Sequence, residues 1–450
     1  MTADASLFPS RLALILLLAA GGCLLPAAPS VAEAAAQQQP AAGAVDPAAQ
    51  REHSIARDAA GDGLLAQGRP AEALAAFREG LAIRERLAAA DPGNRQWQHD
   101  LSVSHDRIGD ALVAQGQPAA GLAEYRASLA IRERLASADP ESAVWQRAVS
   151  VSHNKIGDAL VAQAKLDEAL DAHRAALAIA EKLVVADPAN TNLLQDLAVS
   201  HTRIGDTLAA QARHADALVS YRMGLRVRQR LANRDPANAE WQRHVAMSQD
   251  RIGEALYARG ELDEALSVHR ENRALREQLA AADPGNTTWQ RELAISNNRI
   301  GNVLAEQGQH ADALAAYRAS LAIFERLAAA DPENAVLQRD LAVGIEGIAK
   351  ARLQQGNQGE AIAALERVLG IARALMRRNP DDYGARLMSV VPLLQLGRLR
   401  EGRAGLPLLR EGLGTLKLLA DTGRLEARYK IWIPTVEAAI RAKEARAARE

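Results

Sequence analysis

The chain is predicted to be an all-α solenoid of antiparallel helix pairs, from a strict internal period, helical spacing of apolar residues within each period, and a core poor in aromatics. Pro92, Pro140, Pro188, Pro236, Pro284, Pro332 and Pro380 stand 48 residues apart, each after an Asp except Pro380, which follows Asn379. A fixed period of this size marks units that cannot bury their own apolar face and must stack on a neighbour. The 450 residues are 48% hydrophobic but only 3% aromatic, so Ala, Leu, Ile and Val fill the core, which suits close-packed helices. Strand signals are absent.

At the N-terminus, Arg11 precedes the apolar run Leu12 to Ala20, too short to cross a bilayer but right for the core of a signal peptide. Residues 1–34 are therefore read as an export signal, and two processing routes stay open. Ala32-Glu33-Ala34 offers small-x-small cleavage, the favoured reading, whereas Ala20-Gly21-Gly22-Cys23 resembles a bacterial lipobox with lipidation at Cys23. The expected location is periplasmic, or membrane-anchored if Cys23 carries lipid. Residues 35–49, rich in Ala, Gln and Pro, read as a flexible linker.

Seven 48-residue units are expected across residues 50–380. Trp97, Leu101, Ile108 and Leu112 fall at helical spacing, and Gln115-Gly116-Gln117-Pro118 stops that helix and starts another. The second helix carries Gly121, Tyr125, Leu129, Ile131 and Leu135 and ends at Asp139-Pro140, because proline disfavours a helical residue before it. Small residues recur at Ala73, Gly121, Ala169, Ala217, Ala265, Ala313 and Ala361, where the two helices should approach most closely. After Pro380 the phase slips, since Gly356 and Gly397 are only 41 apart, so residues 381–450 read as a divergent repeat and a capping helix broken or kinked at Pro434.

Ile108-Gly109, Leu112, Gly116, Gly121 and Tyr125 resemble the small-and-large signature of the tetratricopeptide repeat, in an extended 48-residue form. The resemblance implies a right-handed superhelical solenoid whose first helices line a concave groove. It also implies that two phases of those helices touch a bound peptide. Those positions are Asp106, Asn154, Thr202, Asp250 and Asn298, and, four residues on, Asp110, Asp158, Asp206, Glu254 and Asn302. Val103, Val151, Val199, Met247 and Ile295 would add apolar patches. The alternative reading is structural: Arg107, Lys155, Arg203 and Arg251 pair with the acids three residues on. A carboxylate-gripping clamp is disfavoured, because the acids of the groove would repel such a ligand.

Net charge is −1, with 54 basic against 55 acidic residues, which gives no attraction to nucleic acid. The single cysteine excludes an intramolecular disulfide and a cysteine metal cluster. No catalytic or nucleotide-binding motif occurs, and neither cofactor nor metal is expected. The column His105, His153 and His201 continues as Gln249 and Asn297, which fits packing better than metal binding. The expected function is a non-catalytic scaffold in the bacterial envelope that binds a protein or extended peptide with basic and apolar side chains. The alternative is a regulatory or accessory subunit of a separate envelope enzyme or assembly complex.

Overall fold

The computed structural model describes residues 46–422, 425 and 427–447; the expected export signal, Cys23 and most of the expected linker lie outside these. Among the described residues the chain is helical with no strand. It forms two compact units, residues 46–259 and 260–447.

The first unit holds α1 (Pro47–Ala66), α2 (Pro70–Ala90), α3 (Arg95–Ala114), α4 (Pro118–Ala138), α5 (Ala143–Ala162), α6 (Leu166–Ala186), α7 (Thr191–Ala210), α8 (His214–Arg234) and α9 (Ala239–Arg259). Helix α1 opens three residues inside the expected linker, because Asp46 accepts a bond from the Ala48 amide and Pro47 takes a first-turn position that needs no N–H. The second unit holds α10 (Leu262–Ala282), α11 (Thr287–Glu306), α12 (His310–Ala330), α13 (Ala335–Gln354), α14 (Gln358–Arg378), α15 (Tyr383–Leu399), α16 (Leu406–Asp421), α17 (Ala427–Lys430) and α18 (Trp432–Ala447).

Two turn types alternate. Between units, the Asp-Pro-x-Asn segment caps the helix that follows: Gly93 N–H donates to Asp91 Oδ1 at 3.1 Å and Trp97 N–H donates to Asn94 Oδ1 at 3.1 Å. The asparagine satisfies amides that a helix start leaves unpaired. Within a unit, Gln117 N–H reaches back to the Leu112 carbonyl and Gly116 N–H to that of Val113, both at 2.9 Å. This closure requires a left-handed residue. Gly68, Gly116, Gly260, Gly308 and Gly356 supply it with φ between 71° and 80°, but the position is alanine at Ala164 (φ 58°) and Ala212 (φ 60°). A side chain in that region costs about 1–2 kcal/mol, partly offset by the extra unfolded-state freedom of glycine. The Ala164→Gly, Ala212→Gly double variant should therefore be more stable, by about 0.5–1 kcal/mol per site, and melt at a higher temperature. A lowered midpoint would show that these turns carry no such strain.

The core lies between helix pairs. Leu122, Tyr125 and Ala169 pack with Ile156, Ala159 and Leu160 in one layer, and Ala73, Leu74 and Phe77 with Ile108, Ala111 and Leu112 in another. A fully buried apolar side chain contributes about 1.5–3 kcal/mol, so each layer stabilises its pair only when the next pair is present. The glycine after the recurrent isoleucine is an aromatic seat: a Cβ on Gly109 would lie 2.4 Å from the Tyr125 ring, and one on Gly205 2.4 Å from Tyr221. The small residues at Ala73, Ala169, Ala217, Ala265, Ala313 and Ala361 are fully buried. A Cβ on Gly121 would lie 2.9 Å from the Gly109 carbonyl oxygen.

At the C-terminus, α15 and α16 pack as a further pair although Pro392 lies inside α15. Leu425, Tyr429, Trp432, Val436 and Ile440 join Leu394, Leu409 and Leu416 in one cluster that covers the last pair. The helical break falls at Ile431, and Pro434 sits in the first turn of α18, where its missing N–H leaves no bond unmade.

Candidate partner-binding surface

The two phases expected to line a groove have different fates. Asp106, Asn154, Thr202, Asp250 and Asn298 are all buried, at 4% to 8% exposure. They lie within the packing of the stack and cannot form a surface for a partner. Asp106 meets Arg132 of α4 at 2.7 Å, Asn154 donates to Ser200 Oγ at 3.4 Å, and Thr202 donates to the Ala198 carbonyl at 2.8 Å.

The second phase reaches the surface. Asp158 and Asp206 are exposed, and Asp110, Glu254 and Asn302 are half-buried. Three of these anchor the aromatic of their own unit: the hydroxyls of Tyr125, Tyr221 and Tyr317 donate to Asp110 (2.7 Å), Asp206 (2.9 Å) and Asn302 (2.7 Å). Burial, together with the facing carboxylate, pushes the Tyr125 and Tyr221 hydroxyls well above the ordinary tyrosine range, so both remain donors.

The cations at the neighbouring phase pair between units and not within one helix. Arg107 reaches back to Asp62 at 3.0 Å, Lys155 to Asp110 at 2.6 Å, Arg203 to Asp158 at 2.9 Å and Arg251 to Asp206 at 2.8 Å. Each bond spans 45 residues and joins one first helix to the next. The expected pairing with acids three residues on is replaced, because stacking brings the previous unit's carboxylate closer to the cation. Arg107 also touches the buried Asp58 at 3.1 Å.

The residues that sequence reasoning missed are the partners of the buried phase. Arg84 and Arg132, 48 apart, are each 4% exposed. Arg132 bonds Asp106 together with Ser102 Oγ (3.1 Å), Ser152 Oγ (2.8 Å) and the Ala148 carbonyl (3.3 Å). Arg84 repeats the set with Asp58, Ser54, Ser104 and the Asp100 carbonyl. The signal was present in the sequence, since Asp58 and Arg84, Asp106 and Arg132, and Asp250 and Arg276 are each 26 apart, while Asn154 is matched by Ala180 and Asn298 by Phe324.

His105 Nδ1 lies 2.7 Å from Glu124, while His153 is half-buried and His201 buried; burial lowers the pKa of the latter two, which favours neutral rings. Among the described residues no group of three His, Cys, Asp or Glu is placed to hold a metal ion. Trp97, Trp145, Trp241 and Trp289 are half-buried at unit joints, and the His99 ring lies 5.4 Å from that of Trp145. Half-exposed Val103, Val151 and Val199 stand beside the ion-pair ladder. The surface is thus a row of paired charges and apolar side chains on successive first helices.

The tetratricopeptide repeat family model matches residues 58–92, 151–190, 245–284 and 294–332. No curated protein matches the chain. Among solved structures, the apo form of RapI aligns over 88% of this chain and 97% of its own at 12% identity with a TM-score of 0.54, which shows a shared fold. The apo quorum sensor NprR from B. thuringiensis aligns over 89% and 94% at 14% identity with a TM-score of 0.49. A putative kinesin light chain of Podosopora anserina with nearly identical repeats aligns over 53% and 98% at 15% identity with a TM-score of 0.39. The chain therefore carries tetratricopeptide repeats in a solenoid of helix pairs, and no catalytic family is indicated.

Proposed function

We propose that this chain is an exported, non-catalytic scaffold that holds a protein or extended peptide along the exposed face of its first helices. The observation that carries the reading is the regular row on that face. Asp158 and Asp206 keep 48% and 46% of their side chains exposed while already paired, so each has lone pairs left for a basic partner. Val103 and Val151 offer apolar contact one turn away. A stack with a packed core presents such contacts without an ordering cost, so modest interactions can add along the row. Export rests on the N-terminal apolar run alone, and a lipid at Cys23 would fix the scaffold to a membrane.

Asp110, Asp158 and Asp206 are poor probes of binding, because they also tie units together. Val103→Glu with Val151→Glu tests the surface cleanly, since both side chains are half-exposed and neither belongs to an ion pair. A partner captured from envelope extract should bind this variant at least tenfold more weakly, with an unchanged melting profile. Its binding to the wild type should weaken with salt, as charges are screened over about 8–10 Å. Equal affinity for variant and wild type would remove this face from consideration.

A further inference from the structure

The repeat pattern is broken around one buried cation. Arg228 of α8 holds the position of Arg84 and Arg132 and is only 9% exposed. The aspartate that those arginines meet is here Thr202, whose hydroxyl is turned to the Ala198 carbonyl, and the first serine of the set is here Ala198. Among the described residues, Ser248, with its Oγ 2.5 Å from Nη1, is the one hydrogen-bond partner that Arg228 keeps. The change extends outward. At three other joints the first helices are braced by pairs 49 residues apart, Arg51 with Asp100, Arg147 with Asp196 and Arg291 with Asp340, whereas another joint has His99 and Ala148 in those places. The corresponding residues beside Arg228 are Gln195 and His244, both uncharged or readily neutral.

Three of these departures, Ala198, Gln195 and His244, line a cavity of about 250 Å³ between α7, α8 and α9, one turn from Thr202 on α7. Arg228, Gln195 and His244 line it, with Leu231, Val199 and Trp241 as the apolar wall. It exceeds the ~150 Å³ that admits a benzene ring. Asp196 also borders the space, but its carboxylate is engaged by Arg147. Burial first, and then the like charge of Arg251, hold the Arg228 guanidinium down to about 10, as expected of a cation short of a counter-ion. Burial and Arg228 likewise lower the pKa of His244, against the opposing pull of Glu240.

We propose that this cavity binds a carboxylate-bearing ligand, a small aromatic or branched acid or the C-terminal residue of a peptide, with Arg228 taking the carboxylate in the place vacated by the repeat's own aspartate. A guanidinium presents a planar fork matched to a carboxylate. One buried cation beside neutral Gln195 and His244 balances a monoanion, whereas a phosphate dianion would leave charge unmatched near Asp196. Trp241, Leu231 and Val199 receive the apolar body. The site shares Val199 with the surface row proposed above, but it rests on Arg228 and its lost partners and not on that row.

Calorimetric titration of the full chain tests it, with benzoate, phenyl phosphate, and a pentapeptide ending in leucine as free acid and as amide. Two variants accompany it: Arg228→Met removes the cation, and Thr202→Asp restores the internal carboxylate. At least one acid should bind the wild type, the amide should not, and both variants should weaken binding at least tenfold. Thr202→Asp should melt at or above the wild-type temperature, which keeps the test meaningful should Arg228→Met fail to fold. Binding of the peptide acid alone assigns a chain terminus, binding of benzoate alone a small acid, and binding of both a site that reads the carboxylate itself. Absence of acid binding at millimolar concentration, undiminished binding to Thr202→Asp, or tighter binding of phenyl phosphate would each overturn the proposal.

Discussion

Asp106→Ala should destabilise the chain by about 3 kcal/mol. The side chains of Asp106 and Arg132 are 8% and 5% exposed, so removal of the acid leaves a buried guanidinium without its counter-charge. Breaking one side of such a pair typically costs about 3–5 kcal/mol. The lower end applies here because Ser102, Ser152 and the Ala148 carbonyl still accept bonds from Arg132. The double variant Asp106→Asn, Arg132→Ala should recover most of the loss, since the chain itself carries Asn154 opposite Ala180 at the equivalent positions. Urea midpoints of the two variants measure this. A double variant as unstable as Asp106→Ala would show that the pair contributes through packing and not through charge.

Glu346→Gln should stabilise the chain at pH 8 and leave it nearly unchanged at pH 4. Glu346 holds the position of Asp58 and Asp106, but its opposite residue is the fully buried Ala372, and among the described residues no cation pairs with it. Burial pushes its carboxyl up to about 7. A carboxyl whose pKa is raised by folding favours the protonated native state, so no penalty operates below the unfolded value near 4.3. The penalty grows as pH rises from there and is complete once pH passes the folded value near 7. At pH 8 the neutral amide should gain about 2 kcal/mol, allowing for water at the accessible part of the side chain. Melting curves at the two pH values decide it: an equal shift at both would mean that the native carboxylate is not desolvated.

These two effects concern residues on which sequence and structure part company. The 48-residue period, both turn types and the small-residue column were legible in the sequence, because each depends on local backbone chemistry repeated unit by unit. Pro92 marks a helix end wherever it stands, and Gly116 supplies a left-handed turn whatever packs beside it. The Asp-Pro-x-Asn cap is equally local, since Asn94 accepts a bond from an amide only three residues on.

What only the tertiary structure decided is which of two neighbouring phases faces inward. Asp106 and Asp110 are separated by about 40° around the helix axis, so apolar periodicity allowed both to share one face. The second helix of the unit covers the first of them and leaves the other at the rim, where the next unit's Lys155 reaches it. The same limit explains the ion pairs. A cation three residues from an acid is a near neighbour along a helix, but stacking places another acid, 45 residues away in sequence, within 3.0 Å of Arg107. The sequence by itself determined the helices, their ends and their repetition. Side-chain partnership depended on the separation and rotation of packed helices, which arise from the summed volumes of many core residues and are written in no single motif.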